Sequence, residues 1–256
     1  MIEIKTDVNK LIVRPTPEEV KEIFAHAPHV AEKILRHLSR QTGRAEAGET
    51  ECLAIATLDY NPYYVQVIYD TLKRNGKKGS QFMRFYYFTE AMRCLAVTED
   101  ARVVMIREFR RTRGEWVQML PAGGAKAGKV LEVMVRELFA EAGARLTDGS
   151  RVVSLGRRYM DDGIFSERLN LLAADRLHVD AIHSNEEECI SGTVLVPWRE
   201  WRANALDGMY DDVFCELLAG RCTYDFRAKR IRVRGKTDVL VKQQAITTEV
   251  ATIGGD

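Results

Sequence analysis

Glu137 and Glu141 stand four residues apart in the run Val130 to Ala142. On a helix that spacing projects both carboxylates from one face, a turn apart. Just before them lies Pro121-Ala122-Gly123-Gly124, a glycine turn with exposed peptide carbonyls. Two stacked carboxylates beside such a turn form a hard oxygen site. Mg2+ or Mn2+ suits it, keeping several waters and binding a substrate phosphate. The alternative is a solvated helix face, with Glu132 and Arg136 as a surface pair worth about 0.3–0.5 kcal/mol. Leu131, Met134, Val135 and Leu138 take the other side and predict the buried stripe.

The elements that must position these groups follow from periodicity and punctuation. A helix is predicted from about Lys129 to Ala142, ended by Gly143. Strands are predicted at Val65–Tyr69, Met83–Phe88, Arg93–Val97, Val103–Ile106, Arg151–Leu155, Leu169–Ala173 and Thr193–Val196, with turns at Asn75-Gly76 and Glu99-Asp100. A helix holding Trp198 and Trp201 comes next, with both rings expected to pack it onto the sheet. Alternating strands and helices predict a mixed-sheet α/β domain over residues 60–225. Ahead of it, Thr16 and Glu19 form a capping box around Pro17, and Val20, Ile23 and Phe24 give one apolar face. A second helical piece is expected from Pro28 through Val30, Ile34, Leu35 and Leu38 to Thr42-Gly43. Ala45–Thr50 reads as a linker, so residues 1–55 are expected to be an N-terminal helical extension. Residues 226–256 form a basic tail, with Arg227, Lys229, Arg230, Arg232, Arg234 and Lys236 crowding a hairpin. It reads either as a phosphate- or RNA-contacting ribbon or as an edge strand protected by its charges.

Composition narrows the classes. The 256 residues are 46% hydrophobic and 29% charged, which sustains an ordinary core and excludes wholesale disorder. With 38 Lys and Arg against 37 Asp and Glu, the net charge is +1. A duplex-DNA protein carries more basic excess, so RNA contact would rest on the tail alone. No stretch approaches the roughly 20 apolar residues of a membrane span, and Met1–Lys5 reads as a strand rather than a secretory signal. The cysteines, Cys52, Cys94, Cys189, Cys215 and Cys222, contain no Cys-x-x-Cys pair. A zinc site and a disulfide framework are therefore not expected, and a cytoplasmic protein is.

The stretch Gly123, Arg136, Glu137, Leu138, Glu141 and Gly143 resembles the Nudix box, the signature of hydrolases that cut a nucleoside diphosphate linked to another moiety. Around it, Arg107-Glu108-Phe109-Arg110, Trp116 and Leu120-Pro121-Ala122-Gly123 are similar to the arginine-bearing strand and Pro-Ala-Gly turn of the ADP-ribose pyrophosphatase branch. Tyr159–Arg168 resembles that branch's loop, and Asn185-Glu186-Glu187-Glu188 its mobile acidic loop. The resemblance spans roughly residues 65–210. The box departs from the family at Lys129, which replaces its first glutamate, at Ala140, which replaces its third, and in an interval one residue short. Met119 stands where a glutamate usually precedes the Pro-Ala-Gly, and Asp161-Asp162-Gly163 replaces a Ser-Pro-Gly.

The resemblance implies an α/β/α sandwich around a mixed sheet. It implies Mg2+ or Mn2+ on Glu137, Glu141 and the Ala122 carbonyl, with Arg136 orienting a neighbouring carboxylate. Glu187, chosen among Glu186, Glu187 and Glu188, would act as the base; Arg110 and Arg107 would bind phosphates, and Glu167 would lie at the substrate. The implied reaction splits ADP-ribose, or a related nucleoside diphosphate sugar, into AMP and a sugar phosphate. A homodimer is implied, with the strands around residues 65–90 contributing. The competing reading is a Nudix-fold nucleotide- or RNA-binding or scaffold subunit with impaired chemistry, motivated by Lys129, Ala140, the N-terminal helices and the basic tail. Phe109 or Tyr86 could stack on a base. The histidines have no matching ligand set.

Overall fold

Apolar residues on both faces of the same strands decide the central sheet. In β5 (Glu90–Thr98), Met92, Cys94 and Ala96 fall on one face and Leu95 and Val97 on the other, all fully buried. In β6 (Arg102–Arg110), Val104 and Ile106 alternate likewise with Val103 and Met105. Strands apolar on both faces must be covered on both. The computed structural model describes residues 8–13, 16–25, 28, 31–32, 35, 49–58, 66–74, 77–86, 90–111, 113–125, 128–159, 168–180 and 189–234. Two compact units divide the chain, one drawn from residues 1–90 and 159–168, the other from 91–158 and 169–256.

The second unit contains the sheet and its two helical layers. After β6 come β7 (Glu115–Met119), β8 (Ala122–Ala125) and helix α2 (Val130–Ala142). β9 (Ala144–Arg145), β10 (Arg151–Tyr159), β11 (Arg168–Val179) and β12 (Ile190–Pro197) follow. The sheet order is β10-β11-β5-β6-β12, with β7 added on β6, β8 on β5 and β9 on β11. β11 runs parallel to β5, whereas β6 is antiparallel to β5 and β12 to β6, so the sheet is mixed. On one face Met92, Cys94, Ala96 and Ile106 pack against Met134 and Leu138 of α2. Each of those two helix side chains, fully buried, contributes about 1.5–3 kcal/mol. On the other face Leu95, Val97, Val103 and Met105 pack against α3 (Trp198–Leu206) and α4 (Val213–Arg221), with Trp198, Trp201 and Leu218 in that cluster. Helix, sheet and helix layers are the expected α/β/α sandwich.

Helix α2 ends where expected, because Gly143 takes the left-handed conformation (φ 61°) and its N–H donates to the Phe139 carbonyl at 2.9 Å. The Thr193 hydroxyl donates to the Ala142 carbonyl at 3.0 Å in a buried position, tying the helix end to β12.

The first unit differs from the expected helical extension. Helix α1 (Pro17–Ile23) has the capping box, with Thr16 Oγ1 accepting from the Glu19 N–H at 3.2 Å and Glu19 accepting from the Thr16 N–H at 2.8 Å. Yet β1 (Val8–Val13) precedes it, and β2 (Glu49–Leu58) runs through the boundary expected at residue 55. With β3 (Gln66–Arg74) and β4 (Lys77–Tyr86) they form an antiparallel sheet in the order β1-β2-β3-β4. The physical reason is strand pairing. Leu11-Ile12-Val13 and Cys52-Leu53-Ala54-Ile55-Ala56 are short apolar runs whose periodicity does not separate strand from helix, and each strand finds a partner, Val13 opposite Ala54 and Ile55 opposite Ile68. Of the second helical piece, Pro28, Ala31, Glu32 and Leu35 are described, and each is helical.

The basic hairpin exists and starts earlier than residue 226. It pairs β13 (Cys222–Asp225) with β14 (Arg230–Val233). Ile231 is buried, and its N–H donates at 3.0 Å to Asp175, which also pairs with Arg151 at 3.2 Å. Arg232 pairs with Asp225, and Lys229 with Glu99 at 2.8 Å. Residues 235–256 lie outside the described residues. Among the described residues, no helix is long and apolar enough to cross a membrane.

Candidate functional site

Glu137 and Glu141 are on one face of α2, and each is only 7% exposed. The solvated-face alternative is thereby set aside for both. What covers them is the Ala122-Gly123 segment, expected as a turn and found as the start of strand β8. The Ala122 N–H donates to Glu141 Oε2 at 2.9 Å. The Glu137 side chain lies so close to Gly123 that a Cβ there would stand 2.5 Å from its Cγ and 2.9 Å from Oε1. Glycine is required at residue 123 for that approach, since no other residue leaves the space.

Arg136 is exposed and its guanidinium binds Glu137 Oε1 directly. Of the two carboxylates set near it, the structure thus joins it to the adjacent Glu137, while Glu132 takes Lys129 at 2.7 Å. The surface pair expected between Glu132 and Arg136 is replaced by these two contacts. Lys129 is the N-cap residue of α2, with no capping hydrogen bond from its side chain.

Arg110 and Arg107 are separated by strand parity. β6 pairs with β7 so that Ile106 faces Met119 and Phe109 faces Trp116. Ile106 and Met119 belong to the core beneath α2. Arg110 is on that side: it donates to Met119 Sδ at 3.0 Å and pairs with Glu108 at 3.0 Å. Arg107 points the other way, its guanidinium 5.6 Å over the Trp116 ring, which Phe109 meets edge-on at 5.5 Å. Arg110 therefore shares the sheet face of Glu137 and Glu141; Arg107 does not. Glu167, Asp161-Asp162-Gly163 and Glu186–Glu188 lie outside the described residues, as do His26, His29, His37 and His183; His178 is exposed and pairs with Asp180 at 3.2 Å.

Cys94, Cys215 and Cys222 take no part. Burial pushes Cys94, on β5 beside the turn, up to about 12, and does the same to Cys215 and Cys222. They are neutral core residues. Sequence reasoning passed over Arg93 and Asp212, which meet at 3.2 Å behind the turn. No local signal pairs residues so distant in the chain.

Two buried carboxylates against one peptide turn match the donors a hard divalent ion takes. Among the described residues, no group of three or more His, Cys, Asp or Glu gathers.

Comparisons with known proteins agree with this fold. A crystal structure described as that of an ADP compounds hydrolase is similar with a TM-score of 0.52 and 20% identity, covering 70% of this chain and 98% of the other. At that identity the likeness concerns the fold. No curated protein matches the chain in sequence. The family model described as NUDIX domain matches residues 88–210, the segment that contains β6, the glycine turn, α2 and the two glutamates. Residues 88–210, just under half of the chain, thus match the Nudix family model.

Proposed function

We propose that the Nudix domain hydrolyses the pyrophosphate bond of ADP-ribose or a related nucleoside diphosphate sugar, giving AMP and a sugar phosphate, with Mg2+ or Mn2+ as cofactor. The observation that carries this reading is the convergence of buried Glu137 and Glu141 on the Ala122-Gly123 turn. Two buried carboxylates are costly unless donors or a cation compensate them. Arg136 and the Ala122 N–H contribute to that compensation, and Glu137, Glu141 and the Ala122 carbonyl would hold a divalent ion. When bound, such an ion contributes charge neutralisation on the diphosphate and a lowered pKa of water.

The chain's own groups do the remaining work. Arg136 fixes the Glu137 carboxylate, and the Ala122 N–H fixes that of Glu141, so neither must reorganise when substrate arrives. Arg110 binds the diphosphate, exchanging its contact with Glu108 for phosphate oxygens, for which a guanidinium is well shaped. Arg107 faces away over Trp116, so the phosphate role falls to Arg110. Glu187 takes the proton of the attacking water, and Glu167 binds the substrate. The solved neighbour is described as a hydrolase of ADP compounds, which supports the same substrate class here. Assembly as a homodimer through β3 and β4, and action in the cytoplasm, belong to the same proposal.

A specific observation favours a second reading: the Arg136 guanidinium occupies an oxygen of Glu137, as in a binding or scaffold subunit whose charge is already compensated. The pairing of Arg232 and Lys229 with acids leaves less free charge for RNA. Release of AMP from ADP-ribose and from a panel of nucleoside diphosphate sugars, measured with and without Mg2+, separates the two. Metal-dependent release that falls at least about 100-fold in Glu137→Gln and in Glu141→Gln is expected. Nucleotide binding without release from any of the panel would establish the second reading instead.

A further inference from the structure

We propose that Arg93 and Asp212 are positioning residues that pin the entry into β8 at Pro121-Ala122-Gly123, called the turn below, from the face of the sheet opposite α2, an inference that rests on the metal-site reading above. The turn is held on one side by Glu141, which accepts the Ala122 N–H. Its other side is Leu120, whose buried side chain packs in the core under α3 and α4. Both of Leu120's peptide groups are engaged by one ion pair. Its N–H donates to Asp212 Oδ2 at 3.3 Å, and its carbonyl accepts from Arg93 Nη1 at 2.9 Å. Arg93 and Asp212 meet at 3.2 Å with side-chain exposures of 14% and 5%. The adjoining Pro121 carbonyl accepts the Cys94 N–H at 3.1 Å.

The neighbours keep this pair in place. Asp212 is the N-cap of α4, its Oδ1 accepting the Phe214 N–H at 3.2 Å, and the Arg93 guanidinium lies 5.4 Å over the Phe214 ring. A buried ion pair satisfied by further hydrogen bonds holds one geometry. Arg93 and the fully buried Leu95 project on the same face of β5, opposite Met92 and Cys94, so the pair grips the turn from the α4 side while the two glutamates meet it from the α2 side. One residue separates the pinned carbonyl of Leu120 from Ala122. Loosening Leu120 shifts the Ala122 peptide, and with it the hydrogen bond to Glu141 and the carbonyl offered to the ion.

Asp212→Asn keeps one oxygen for the N-cap bond to Phe214, but puts an NH2 donor where Oδ2 accepts the Leu120 N–H and holds Arg93, so it removes that acceptor together with the charge. Arg93→Lys keeps the charge and loses the forked donor, and serves if the first variant does not fold. Asp175→Asn is the control, another buried acid in the same unit, paired with Arg151 and remote from the turn. Two readouts are taken on the full chain: amide hydrogen exchange without metal, and Mn2+ binding by calorimetry. Exchange at Leu120 and Ala122 rises by about tenfold or more in Asp212→Asn, and Mn2+ affinity falls by about 10- to 100-fold, as expected for a residue that orients ligands. The control loosens Ile231 and leaves the turn and Mn2+ affinity as in wild type. Wild-type exchange at the turn in Asp212→Asn, or equal loosening by Asp175→Asn, overturns the positioning role. So does unchanged Mn2+ affinity. A wild type that binds no Mn2+ overturns the metal-site reading itself, and the exchange data then show separately whether the pin exists.

Discussion

Gly123→Ala isolates the contact on which the site depends. The added Cβ would stand 2.5 Å from Glu137 Cγ and 2.9 Å from its Cδ, whereas ordinary contact begins at 3.4 Å. The Glu137 side chain must retreat by about 1 Å, a displacement that costs on the order of 100-fold when it misplaces a group at a reacting centre. Overpacking costs about 1–3 kcal/mol, and the reduced freedom of the unfolded chain returns about 0.4–1 kcal/mol of that. A net loss of about 1–2 kcal/mol, a few degrees in Tm, is expected. Gly124→Ala is the matched comparison: its Cβ meets nothing within 4 Å and its φ is not positive. That variant is expected to fold with Tm unchanged or slightly raised and to keep activity within about a factor of three. The assay is kcat/KM for metal-dependent AMP release, with Tm measured on the same samples. Equal activities for the two variants would refute the argument that Gly123 is glycine so that Glu137 can approach the turn.

Two further perturbations test other parts of the structure. Asp175→Ala removes the partner of Arg151 and the acceptor of the Ile231 N–H in a position only 1% exposed, so a loss of about 3–5 kcal/mol is expected, read as a lower urea midpoint; a loss under 1 kcal/mol would show that the hairpin is not anchored there. Burial holds the Cys94, Cys215 and Cys222 thiols at about 12, well above their unfolded value. The unfolded chain releases these protons first, so stability contributed by the neutral thiols is complete below about pH 8.5 and is lost as pH rises toward 12. Tm should fall through that window, and less steeply in Cys94→Ala once its own pH 7 destabilisation is subtracted; an equally steep fall would exclude Cys94 as a contributor.

Much of the site was legible from local rules. The helix from Lys129 to Ala142, its glycine stop, the shared face of Glu137 and Glu141, and the Nudix resemblance each follow from spacing within a few residues, where helical geometry leaves little choice. The N-terminal strands are not legible locally, because α1's capping box is a strong local signal while β1 and β2 are recognisable only through the partners that complete their hydrogen bonds. Tertiary structure alone decided whether the two glutamates meet water or the Ala122-Gly123 turn, because burial depends on what packs over a face and not on the face itself. It also decided that Arg107 and Arg110 part to opposite sides of β6, through the register with β7. The pairing of Arg93 with Asp212 belongs to the same class: two charges far apart in the chain are brought behind one turn by the sheet and α4, and no periodicity in either segment encodes that meeting.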